Sequence, residues 1–211
     1  MYKKRLAAAS LFLSLSLSGC VIHINDSSGV SSILGNVSVS AHKSVGDVSS
    51  VNGNVELLEF VSAQEVDTVN GNIDMANDVS VFSIDVVNGD IVAGERLKVA
   101  THIESVNGNI TINDSSRIEG SIDSVNGDIQ LTSTQIGEHV ITQNGDITLQ
   151  GNTFVSGNIV FEKARSNHRH TPTLTIKNGS NVGGDIVLYR KVKLDIADPV
   201  VKNKVKNRWA E

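Results

Sequence analysis

One cysteine stands in 211 residues, at position 20. A lone thiol closes no intramolecular disulfide, so stability rests on packing and backbone hydrogen bonds. Prolines number two, and aromatic residues make up 4% of the chain. So few rings leave little for a platform that would stack on sugars. Cations are scarce as well: residues 20–189 hold 8 basic against 20 acidic residues. An acidic body of that kind argues against nucleic acid as the main partner. Residues 190–211 reverse the sign, with 7 basic and 3 acidic. No P-loop, no GxGxxG and no Ser-His-Asp spacing stands out.

The longest apolar run, "LAAASLFLSLSLS", is too short for an ordinary transmembrane helix. It follows the basic "MYKKR" and ends in "LSGC", Leu17 to Cys20. A basic flank, an apolar run and small residues before the one cysteine resemble a bacterial lipobox. The resemblance implies that residues 1–19 are a signal peptide and that Cys20 is lipidated. Its partner would then be a membrane, held through acyl chains. Residue 21 is Val rather than the Asp that tends to retain enteric lipoproteins at the inner membrane. The expected location is therefore the outer membrane, on its periplasmic or its surface face.

What the chain has in abundance is one phrase. "VNGNV" at Val51 returns as "VNGNI" at Val69 and Val106, as "VNGDI" at Val87 and Val125, and as "QNGDI" at Gln143. The glycines of these copies, with Gly35 before them, are Gly53, Gly71, Gly89, Gly108, Gly127 and Gly145, and the seven are spaced by 18 or 19 residues. A second apolar column, Val48, Val66, Ile84, Ile103, Ile122, Val140 and Ile159, keeps step. Two columns in phase at this period are the signature of stacked coils. Within a coil, as in "VNGNVELLEF", apolar and polar residues alternate, one face in and one face out. One such coil buries its inner face only against the next, about 4.8 Å away. The predicted fold is all-β: a single-stranded parallel β-helix, or β-solenoid, of about eight coils of 18–19 residues.

Each Asn-Gly is expected to turn the chain at the same corner, because both residues tolerate positive φ. An antiparallel meander of hairpins is the competing reading. The residue after each Gly is Asn or Asp: Asn54, Asn72, Asp90, Asn109, Asp128 and Asp146. Stacked Asp side chains repel, so this mixed column is expected to face solvent or to meet donors.

"ITLQGNTFVSGNIVF" (147–161) and "LTIKNGSNVGGDIVL" (174–188) match at an offset of 27. The extra residues, "EKARSNHRHTPT", replace one corner and make an extruded loop between the seventh and eighth coils. Residues 20–33 read as a tether, 34–190 as the solenoid, and 191–211 as a basic tail without repeat phase that covers the open end.

The repeated "VNGDI" and "VNGNI", with "GGDI" near the end, resemble an adhesin-labelled family of bacterial β-solenoids that carries the DUF4097 and DUF2807 domain names. The resemblance spans about residues 34–190. It rests on turn motifs, so it implies the fold and no catalytic residue.

Candidate chemistry is thin. Asp90, Asp128 and Asp146 form a potential carboxylate row for acid–base work. They also recur as turn formers, and catalysis needs a constellation that is not repeated. Rows of Asp and Asn oxygens suit Ca²⁺, but the β-roll nonapeptide is missing. His168, Arg169 and His170 sit in the extruded loop and are the candidate partner contact, since irregular loops on rigid scaffolds carry function. Two histidines without a third ligand make a poor metal site. The expectation is a non-catalytic, lipid-anchored envelope rod, adhesin-like or scaffolding, without cofactor or metal. It would meet an envelope or extracellular polymer or protein. The alternative is a β-helix that binds or cleaves polysaccharide.

Overall fold

The computed structural model describes residues 28–163, 170–177 and 179–209. Strands of two to six residues alternate with tight corners from Val30 to Asn207. They stack in three parallel sheets of ten, nine and six strands, and successive coils lie one above the other. Val48 pairs with Val66, Val66 with Ile84 and Ile84 with Ile103, so the apolar column of the sequence is a physical column. All strand pairings described are parallel, which excludes the hairpin meander. The stack has about nine coils, one more than the sequence suggests.

The core is a ladder of β-branched and leucine side chains. Val55, Ile73, Ile91, Ile110, Ile129 and Ile147 stack in one inward line of the nine-stranded sheet. Each is essentially without solvent contact. Burying one such side chain is worth about 1.5–3 kcal/mol, and several recur in every coil. No disulfide is needed to hold the stack.

Both ends depart from the sequence reading. The first strand, Val30–Leu34, pairs with Val48–Asn52, so the shaft starts within the stretch read as tether. At the other end the tail is in phase after all. Leu194 pairs with Leu174 and Val205 with Ile186, and these strands form part of a ninth coil. The short helix Pro199–Lys202 bridges them, capped by the Asp198 side chain, which accepts from the backbone N–H of Val200. Its Val201 is fully buried, and the Lys204 ammonium donates to the carbonyls of Val182 and Gly183 at the last strand of the six-stranded sheet. The phase was hidden because charged letters fill the outward positions and the helix replaces one strand.

The Asn-Gly corner works differently from the expectation. Gly89, Gly108 and Gly127 do have positive φ (154°, 144° and 136°), but Gly53, Gly71 and Gly145 lie outside the left-handed region, and no Asn of the corner has positive φ. What demands glycine is the coil below. A Cβ placed on Gly71 would lie 2.1 Å from the carbonyl oxygen of Gly53, and one on Gly108 would lie 2.0 Å from that of Gly89. The left-handed turns sit at another corner, at His42, Phe60, Asp78, Arg96, Ser115 and Ser133, with φ between 48° and 61°.

Candidate functional site

The polar columns beside the corner divide by hydrogen-bond arithmetic. Before the glycine, Asn70 Nδ2 donates to Asn52 Oδ1 at 3.0 Å. The line continues through Asn88, Asn107, Asn126 and Asn144. Every interior member must donate to one neighbour and accept from the other, which an amide does and a carboxylate does not. After the glycine, the side-chain oxygen merely accepts: the backbone N–H of Asn72 donates to Asn54 Oδ1 (2.9 Å), and that of Asp146 to Asp128 Oδ1. An amide or a carboxylate serves there, which explains the mixture of Asn and Asp. The candidate carboxylates Asp90 and Asp128 are thus engaged along the axis.

The pattern breaks at Gln143, where the phrase loses its Val. Gln143 is 3% exposed; its Nε2 donates to Glu162 Oε2 at 2.8 Å, and its Oε1 is buried with no hydrogen-bond partner among the described residues. Arg190, two coils above in register, reaches down to the bond that the next Asn would make. Its Nη1 donates to Asn144 Oδ1 (2.8 Å) and to the Gln143 carbonyl (2.5 Å), and its Nη2 to the His170 carbonyl (2.9 Å). The amide ladder therefore ends on a guanidinium, and partial burial lowers the Arg190 pKa from its ordinary value. Asp146 Oδ1 accepts from the Thr173 N–H at 2.9 Å and lies 3.1 Å from His170 Nε2. The extruded segment is thus tied to the shaft on its return side by His170, Thr173 and Arg190.

Of the residues singled out in the sequence, His170 belongs to this corner. His168 and Arg169 lie outside the described residues, as does Cys20. The six glycines form one stacked column with a structural role. Among the described residues no group of three His, Cys, Asp or Glu side chains could hold a metal ion.

Sequence reasoning passed over a second cluster. Asp67 and Asp85 are register partners on the outward side of the ten-stranded sheet, with Glu104 and Asp123 next in line. Burial, then Asp85, Glu65 and Asp47, push the Asp67 carboxyl up to about 7. Burial also raises Asp85, opposed by His102, whose Nε2 lies 3.6 Å away. A proton held on Asp67 and shared with Asp85 relieves the repulsion. The signal was present: each of these acids stands four residues before a corner glycine. Other surface recesses are shallow; one of about 270 Å³ is lined by Ser80, Lys98, Val99, Arg117 and Glu119, and Arg117 is held by Glu119.

No protein-family model, curated protein or solved structure matches the chain.

Proposed function

We propose that this chain is a non-catalytic rod of the bacterial envelope, anchored by lipid at Cys20 and presenting its faces to another envelope or extracellular molecule, as an adhesin or a scaffold does. The observation that carries the reading is the use of the repeated polar side chains. Asn and Asp columns that would otherwise line a reactive surface are hydrogen-bonded to the next coil, building stiffness instead of a cleft. The departure from repetition at Gln143, His170 and Arg190 is the place where such a rod would present a distinctive contact.

Two experiments test this. Cell fractionation of wild type and Cys20→Ala reads the anchor: wild type is expected with the membranes and the variant in the soluble fraction. A variant that stays with the membranes refutes lipidation at Cys20. Protease treatment of intact cells, with lysed cells as control, reads the exposure. Digestion on intact cells supports adhesion; protection until lysis removes the adhesin reading and leaves the scaffold.

A further inference from the structure

One outward column of the ten-stranded sheet changes character along the rod. After Ser31 and Ser49 it carries four successive acids, Asp67, Asp85, Glu104 and Asp123. Three half-buried aliphatic residues follow, Ile141, Val160 and Val187. It ends on the exposed Lys206. A sheet face open to solvent ordinarily alternates with polar residues, so three successive aliphatic steps between opposite charges form a patterned stripe. The pattern is complementary to itself when reversed.

We propose that this face is a self-association surface on which two copies of the chain pack antiparallel about a two-fold axis through Val160. With Val160 on the axis, Val187 of each copy meets Ile141 of the other, and Lys206 meets Asp123. Every contact off the axis then occurs twice, and the pair closes without leading to a filament. A parallel arrangement would instead set the four acids against themselves. The overlap covers five coils, roughly 20 Å along the axis at about 4.8 Å per step, which places the contact at the small, weak end of specific interfaces.

Sedimentation equilibrium of the chain from residue 20 onward, which carries every described coil, tests the proposal. Cys20 is replaced by Ser to keep the chain unacylated. Loading would reach about 0.5 mM, a range that resolves a weak dimer. The expected result is a reversible dimer that weakens by about tenfold or more between roughly 0.05 and 0.5 M salt. Lys206→Glu alone and Asp123→Lys alone should each weaken it by about tenfold, and the double exchange should restore it. Lys191→Glu, outside the column, should leave it unchanged. Circular dichroism confirms that each variant keeps its strands, and Lys206→Gln provides a neutral substitute should the reversal misfold. A monomer at every loading overturns the proposal. So does a dimer indifferent to Lys206 and Asp123, or a double exchange that fails to restore association.

Discussion

At one corner each coil places a glycine; at another it places His42, Phe60, Asp78, Arg96, Ser115 or Ser133, all at φ between 48° and 61°. The first corner is spelled almost identically in six copies, and the second takes five different residue types in six coils. Yet at the second, residues with side chains adopt a left-handed conformation, whereas at the first several glycines, among them Gly71, have no need of positive φ. At the glycine corner, the coils approach so closely that a Cβ on Gly71 would sit 2.1 Å from a backbone oxygen. No rotamer or side-chain shift relieves a clash with backbone. At the left-handed corner the penalty is about 1–2 kcal/mol per residue, and each coil tolerates it separately. Neighbours there find their own contacts: the rings of His42 and Phe60 stack at 4.8 Å, and Arg96 Nη2 bonds Asp78 Oδ2 at 2.7 Å. Repetition of a letter in this rod therefore marks steric necessity, whereas variation marks a strain that many residues can bear.

The largest expected effect follows from that contrast. Gly108→Val combines a contact of 2.0 Å with positive φ, and it should destabilise the rod by about 3 kcal/mol or more in chemical denaturation. A change below about 0.5 kcal/mol would mean that the coils separate there without cost.

The two asparagine columns come next. Asn88→Asp removes the donor that reaches Asn70 and turns an oxygen toward an oxygen, a loss of about 1–2 kcal/mol. Asn72→Asp leaves the acceptor for the Asp90 N–H in place and should stay within about 0.5 kcal/mol. Equal effects from the two changes would undo the division of the columns into amide ladder and acceptor line.

The acidic face gives a pH signature. The folded chain holds a proton on Asp67 up to about 7, against 3.8 for the ordinary group. The folded state thus binds more protons than the unfolded state in that window. Stability from this site is fully present below the lower value and is lost as pH rises through about 7. Thermal melts between these limits should show the decline, and Asp67→Asn should flatten it. An undiminished slope in that variant would place the proton elsewhere.

Ser115→Gly is the smallest effect and has the opposite sign. Relief of the left-handed strain should raise stability by about 0.5–1 kcal/mol, offset in part by the freer unfolded chain. A loss would show that Ser115 makes contacts worth more than its strain.

Much of this architecture could be read from the letters because the strands are parallel and in register. A period of 18–19 residues in both glycine and valine or isoleucine columns is the coil itself, and the 27-residue offset of the last match is the pairing of Ile147 with Leu174 and Phe161 with Leu188. Less was legible at the ends and at the irregular corner. The tail's Leu194 and Val205 keep phase, but lysines at the outward positions and the helix Pro199–Lys202 obscure it. Arg190 takes over an asparagine's place from 46 residues away, a substitution of role that no periodicity announces. The acids Asp67 and Asp85 do repeat in step, yet their shared proton depends on burial, which one letter in each coil does not reveal.

The most direct test of the central claim is the unfolding free energy of Gly71→Ala. Gly71 is outside the left-handed region, so conformation alone allows alanine there, whereas the coil below does not. A loss of about 2 kcal/mol or more is the expected result. Alanine accepted without loss would return the repeated glycine to the role of a turn former and contradict the account of how the coils are held together.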